Sequence, residues 1–402
     1  MLRPVGATIF GLAGDYLGRK WTYIIIATLF IAVEVGTGLA QTYSQFLGVR
    51  ALFGVLMGGM YPIAMVTALE DQPTEARGAL SGIFLPGYNM GYLLAQVFYL
   101  AFASTGAENE GWRNLLFFTA GLSVILIVWR FLYPESPSYL KLKERKKIYN
   151  EKRKQTGTGF WSRIDLTILK VLKTEWLMFS YLVVLYACFN FASHASQDLY
   201  ASMLTNQYGA DLNLRTIIIV VSNIGAIIGG LFMGNVSEIL GRRLTIIVCL
   251  LWAVAFTWSS FNNARENWPL YVLLQGGVMG AWGVAPIHLM ELVNPTYRAF
   301  LAGLAYQLGN LISSASSTIQ ARIGENFPLE EEGMYDYGFV MAIFCFAVFA
   351  CHILCVFLGP ERFHRELRIT DREEEIENTS SKDDGSKDDG SKENSSNTKK
   401  QI

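Results

Sequence analysis

Apolar runs of about 20 residues recur along almost the whole chain, each closed by a short polar or charged stretch. That length is what a helix needs to cross a hydrocarbon core of about 30 Å. Inside a bilayer the backbone must satisfy its own hydrogen bonds, so such a chain folds as a bundle of spanning helices. The expected spans are Trp21–Ala40, Gln45–Leu69, Ala79–Ala103, Trp112–Tyr133, Trp176–Gln197, Arg215–Met233, Leu244–Phe261, Trp268–Met290, Ala299–Ile319 and Tyr337–Leu358. A shorter apolar segment, Arg3 to Ala13, precedes them. Composition agrees: 51% of the 402 residues are hydrophobic and 17% charged, and mean hydropathy is +0.28 with a polar tail included. The expected fold class is an all-α membrane protein.

The connections between spans alternate in charge. One set carries Arg19, Lys20, Arg77, Arg242, Arg243, Arg298, Arg362, Arg365 and Arg368, together with the lysine- and arginine-rich segment after Pro134. The other carries Glu108, Glu110, Asp211, Glu330, Glu331, Glu332 and Asp336, with Arg265 and Arg322 as exceptions. Basic connections stay in the cytoplasm, which places the carboxyl terminus there and the amino terminus outside. The expected organisation is an amino-terminal helical half at 1–135, a basic cytoplasmic linker at 136–175, a carboxy-terminal half at 176–360 and a tail at 361–402. The tail repeats Ser-Lys-Asp-Asp-Gly from Ser381 and Ser386 and cannot bury a core, so disorder is expected. Its Lys382, Lys387 and Lys392 are candidate ubiquitin acceptors, with a ubiquitin ligase as candidate partner. A plain solvated tail is the simpler reading.

Other function classes find no support. Net charge is −1, and no basic patch with interleaved aromatics points to nucleic acid. Cys188, Cys249, Cys345, Cys351 and Cys355 lie in apolar runs without metal-ligand spacing and read as small core residues. His194, His288, His352 and His364 are scattered and give no zinc motif. No nucleophile–base set or phosphate loop is visible, so neither an enzyme nor a cofactor is expected.

One polar stretch continues the run from Trp176: Asn190-Phe191-Ala192-Ser193-His194-Ala195-Ser196-Gln197-Asp198. At about 100° per residue, Asn190, Ser193, His194 and Gln197 fall within about 100° of one another. Asp198 follows His194 by four residues, on the same side. Polar side chains on a bilayer helix normally face a bundle interior or aqueous cavity, where this set can bind a small anion and carry a proton. The competing reading is that the helix ends here: Trp176 to His194 spans about 27 Å, close to the far side of the core. Periodicity alone leaves both open.

The order of residues resembles the signature of the Jen family of fungal proton-coupled carboxylate transporters, Asn-x-x-Ser/Thr-His-x-Ser/Thr-Gln-Asp-x-x-x-Thr. Asn190, Ser193, His194, Ser196, Gln197 and Asp198 match it, and Ser202 replaces the final threonine. The segment Gly11-Leu-Ala-Gly14-Asp15-Tyr-Leu-Gly18-Arg19-Lys20 resembles the major facilitator superfamily's loop motif between its second and third helices. Gly234 to Arg243 echoes it, with Glu238 in place of Asp15. Pro134-Glu135-Ser136-Pro137 also resembles a sequence after the superfamily's sixth helix. The resemblance implies a major facilitator fold of two helical halves, with about 11 of 12 spanning helices present and the first absent. It implies a plasma-membrane symporter of a small carboxylate (lactate or pyruvate, succinate or malate) with a proton. The alternatives are a superfamily transporter for another solute, such as a sugar or phosphate, and a non-transporting membrane sensor.

The same resemblance assigns expected roles. His194 and Asp198 are the proton-linked pair. Asn190, Ser193, Gln197 and the Gln307/Asn310 pair of the eleventh helix hold the substrate's oxygens, with Arg3 as counter-charge. Arg50, near the outer end of the fourth helix, reads either as a proton-coupling group or as an interfacial arginine. Asp15, Arg19, Glu238 and Arg242 form the gate latches. Glu70 and Glu291, at helix ends near Arg77 and Arg298, read as conformational ion-pair partners rather than proton carriers. Beyond substrate and proton, membrane lipid is the expected partner.

Overall fold

The computed structural model describes residues 2–103, 111–141, 143–144, 175–293, 298–329 and 335–364. Apart from one 3-10 turn and an isolated bridge between Pro328 and Tyr335, its regular structure is α-helical. The helices are α1 (Arg3–Leu17), α2 (Arg19–Leu39), α3 (Tyr43–Leu69), α4 (Arg77–Phe84), α5 (Pro86–Ala103), α6 (Gly111–Leu132), α7 (Trp176–Gln197) and α8 (Tyr200–Asn206). They continue as α9 (Leu212–Leu240), α10 (Arg242–Phe261), α11 (Trp268–Leu292), α12 (Arg298–Ser313), α13 (Ser316–Gly324) and α14 (Tyr337–Leu358). Eight helical segments among the described residues are long and apolar enough to cross a membrane. Of the eleven segments read from the sequence, the three outside that set are the 15-residue α1 and two spans that are broken in the middle.

The breaks have local causes. Pro86 lacks an N–H and opens α5, so Ala79–Ala103 becomes α4 plus α5. Ala299–Ile319 divides between α12 and α13 at a serine-rich turn, where Ser313 Oγ and Ser314 Oγ donate back to the carbonyls of Asn310 and Leu311 at 3.0 and 2.6 Å. A third interruption falls at Asp198, between α7 and α8.

The two segments read as loop motifs are helical almost throughout, which corrects the expectation. α1 runs to Leu17 and α2 starts at Arg19; α9 runs to Leu240 and α10 starts at Arg242. Each reversal is made by one glycine, Gly18 at φ 103° and Gly241 at φ 86°, a conformation closed to other residues at low cost.

Elements of the first half meet the second directly: α1 and α3 pack on α12, α4 on α9 and α11, and α5 on α9. At the end carrying the basic connections the backbones touch. A Cβ added at Gly234 would lie 2.6 Å from Gly82 Cα, and one at Gly11 would lie 3.1 Å from Phe300 Cα. Ser81 Oγ donates to the Gly283 carbonyl at 2.7 Å across the same seam. The outer faces of α6 and α9 expose Trp129, Leu132, Ile228 and Phe232, as a lipid-facing surface does. Most of the expected linker and tail lie outside the described residues, as do Glu108, Glu110, Glu330, Glu331, Glu332, Arg365 and Arg368. The start of the linker is held by Asp71, which accepts from Ser136 Oγ at 2.7 Å and from Ser138 N at 3.1 Å.

Candidate transport site

A cavity of about 380 Å³ opens between the halves, lined from one side by Tyr88, Asn89 and Tyr92 of α5 and from the other by α7 to α9, α11 and α13. All three broken helices reach it: Tyr88 and Asn89 follow the first break, Asp198 sits in the second, and Ser317 follows the third. Interrupted helices bring end groups and irregular backbone to a site at mid-depth, which continuous helices cannot do.

The signature residues divide into two groups. His194 Nδ1 lies 3.1 Å from both Asp198 oxygens, and both side chains are about one-third exposed (34% and 33%). The i,i+4 spacing on α7 is what brings them together. Asp198 and Gln197 line the cavity; His194 stands behind Asp198. The other members knit α7 to its neighbours. Asn190 Oδ1 accepts from Asn310 Nδ2 of α12 at 3.2 Å, and Ser193 Oγ accepts from Trp282 Nε1 of α11 at 2.5 Å. Gln197 Nε2 donates to Gln275 Oε1 of α11 at 2.8 Å. Gln307 Nε2 reaches the Gly58 carbonyl of α3 at 3.4 Å, a contact between halves. Ser202 is exposed on α8.

Below the cavity, toward the basic end, Tyr61 of the first half stacks on Tyr306 of the second at 4.0 Å between ring centroids. Tyr186 and Trp282 pack edge-on against Tyr306, and Phe189 packs tilted against Trp282. This aromatic layer and the glycine seam close the cavity from the basic end. The charge of Arg3 acts on the Tyr88 and Tyr306 hydroxyls, and that of Asp198 acts on Tyr88, but Arg3 is not among the residues that line the cavity. Arg50 lies elsewhere: its guanidinium is 3.8 Å from Glu34 of α2 and stacks on Phe46 and Phe53.

The latch residues form two matching clusters at the basic end. Arg19 is 1% exposed, 3.3 Å from Asp15 and 3.5 Å from Glu70. Arg242 is fully buried, 2.9 Å from Glu238, 3.1 and 3.2 Å from Glu291, and 2.7 Å from Ser237 Oγ. Glu70 and Glu291 therefore meet the arginines of the helix-turn motifs rather than their sequence neighbours Arg77 and Arg298. Arg298 still acts on Glu70 electrostatically. Burial pushes the Glu70 carboxyl above its ordinary range, against the opposing pull of Arg19 and Arg298. Across the seam, Glu238 Oε1 lies against Gly78 in the first turn of α4, where free N–H groups and the helix dipole favour a carboxylate.

Sequence reasoning missed several members. Glu135 accepts from Lys20 N at 3.1 Å at the start of α2, and Glu361 accepts from Arg242 N at 2.8 Å at the start of α10. The signal was present, since Pro360-Glu361 repeats Pro134-Glu135. Ser222, Asn223 and Gln275 line the cavity from within apolar runs, where a polar residue marks an inward face.

A family model described as "Sugar (and other) transporter" matches residues 2–368. A Saccharomyces cerevisiae protein named "Carboxylic acid transporter protein homolog" is 41% identical over 380 residues, covering 91% of this chain and 61% of that protein. The chain thus spans about three-fifths of that relative's length. The Escherichia coli "Sialic acid transporter NanX" is 28% identical over 363 residues, covering 88% and 81%. Among solved structures, the proton:xylose symporter XylE superposes with a TM-score of 0.70 at 17% identity, covering 91% of this chain and 85% of that one. The fold is therefore the major facilitator fold, and the chain belongs to the "Sugar (and other) transporter" family.

Proposed function

We propose that the protein is a secondary active transporter that carries small carboxylates together with a proton across the plasma membrane, by alternating access. The observation that carries this reading is the His194–Asp198 pair, set at a helix break on the edge of the cavity between the halves. A substrate carboxylate entering that cavity stands beside the carboxylate of Asp198. Two carboxylates in one site repel, and a proton taken up by the pair cancels the repulsion. Anion and proton binding are then linked, and each strengthens the other by the same factor.

Several further features support the reading. Arg3, whose charge acts on Tyr88 in the cavity wall, helps offset the substrate's charge. Asn190, Ser193 and Gln197 hold α7 to α11 and α12, so a change at the proton-linked pair is transmitted to the helices that must rock. The name of the yeast relative agrees with a carboxylate as cargo. The latch clusters fit a state closed at the basic end and entered from the opposite one, which the charge pattern assigns to the outside.

The test is uptake of labelled lactate and succinate at about pH 5 and about pH 7.5, in cells lacking their own carboxylate permeases. Wild-type uptake is expected to rise in acid, and His194→Ala to abolish it with surface delivery intact. Normal, acid-stimulated uptake by His194→Ala would sink the assignment.

A further inference from the structure

The cavity contains polar groups that the protein leaves without partners. Asn89 of α5 and Gln275 of α11 are each 2% exposed, and both line it. Asn89 Nδ2 and Gln275 Nε2 make no hydrogen bond among the described residues, and neither does the Tyr200 hydroxyl. The Tyr271 hydroxyl, one helical turn from Gln275, donates to the Ser196 carbonyl at 3.0 Å. Buried donors without a partner are rare, because the lost solvation is costly. Gln275 Oε1 is already engaged by Gln197 Nε2, which fixes the amide so that its NH2 is the free end.

The two amide groups stand on opposite halves, and what they lack is an acceptor. A carboxylate offers two oxygens with about four lone-pair sites and no donor. The adjoining cavity, which shares Tyr92, Ala201 and Ile219 with this one, holds Arg215. Its guanidinium donates to Thr205 Oγ1 at 3.2 Å, and no carboxylate among the described residues lies within 4 Å of it. That charge draws anions toward the entrance.

We propose that Asn89 and Gln275 are the paired donors that hold the substrate's carboxylate, one from each half. This rests on the carboxylate-transport reading and extends it to residues outside the α7 signature. Gln275 is held in place by Gln197, and a soft rotation of the Asn89 amide torsion turns its N–H to the ligand. Once held this way, the carboxylate bridges α5 and α11 and ties the two halves together above the aromatic layer. Tyr88, Tyr92, Tyr271 and Ala226 then surround the short carbon chain.

Asn89→Asp and Gln275→Glu test this with little change of shape. Gln275→Glu keeps an acceptor for Gln197 and replaces the NH2 donor with a carboxylate oxygen, which also repels an anionic substrate. Each is expected to raise the KM for lactate uptake about tenfold or more, with surface delivery unchanged. In the purified full chain, lactate should raise the unfolding midpoint of the wild type and not that of either variant. If a variant is lost from the surface, the purified-chain measurement on Asn89→Ser or Gln275→Ser decides by the same criterion. Wild-type KM and wild-type stabilisation in both variants overturn the proposal and leave carboxylate transport standing. A wild type that neither takes up nor is stabilised by lactate or succinate overturns the transport reading, and the proposal with it.

Discussion

Gly234→Ala places a methyl group where the two halves touch. The new Cβ would lie 2.6 Å from Gly82 Cα and 2.6 Å from the Gly78 carbonyl oxygen. Carbon contacts settle near 3.5–4.0 Å, so α4 and α9 must separate by about 1 Å at this level. Backbone atoms cannot swing aside as a side-chain tip can, and overpacking of this kind costs about 1–3 kcal/mol. The cost falls only on the state in which the basic end is closed, because opening that end moves α4 from α9. At about 1.4 kcal/mol per factor of ten, the equilibrium shifts about 5- to 150-fold toward the basic end being open. The control is Gly91→Ala, whose Cβ meets nothing within 4 Å. The readout is maleimide labelling of a Leu12→Cys reporter, on the α1–α12 side of the same end, in a background without native cysteines. Leu12 packs against the core in the closed state. Gly234→Ala should label faster than Gly91→Ala, because rigid halves opened at α4–α9 also part at α1–α12. Equal rates, or slower labelling in Gly234→Ala, would refute the seam as the closed gate.

Two further expectations follow from the charges. Glu291→Gln leaves the buried Arg242 with Glu238 as its remaining carboxylate, and should destabilise the chain by about 3 kcal/mol, the low end for breaking a buried pair. Thermal unfolding in detergent should show a clear fall in midpoint for Glu291→Gln and none for Glu325→Gln, whose partner Arg322 is 76% exposed; equal shifts would contradict the buried latch. The charges at the site also favour one substrate carboxylate over two. Arg3 and the proton carried by the His194–Asp198 pair balance Asp198 and a single carboxylate, whereas a dicarboxylate leaves one negative charge over. Lactate should therefore compete for uptake at lower concentration than succinate, as measured by inhibition curves at one pH; the reverse order would contradict the charge count.

The fold was legible because spanning helices announce themselves by length and apolarity, and α2, α3, α6, α7, α10, α11 and α14 lie close to their expected bounds. The breaks were less legible. Pro86 could be read as a bend, but the α12–α13 interruption depends on hydroxyls returning to carbonyls, which sequence spacing does not reveal. The pairing of His194 with Asp198 followed from helical spacing, and the structure brings them together. Latch partners did not follow from chain proximity. Glu70 meets Arg19 and Glu291 meets Arg242 because helix ends distant in sequence converge at one end of the bundle. Asn310, Trp282 and Gln275 meet the signature residues through packing of α7 against α11 and α12, which no single-helix pattern encodes.

Reconstituted vesicles provide the most direct check on the coupling of carboxylate and proton. Labelled lactate is supplied outside purified protein in sealed vesicles, with an acid-outside gradient from about pH 5 to about pH 7.5. The account predicts accumulation above the external concentration, collapse of that accumulation with a protonophore, and its loss in Asp198→Asn. Lactate that equilibrates across the vesicle membrane but never accumulates under the gradient would contradict proton-coupled symport.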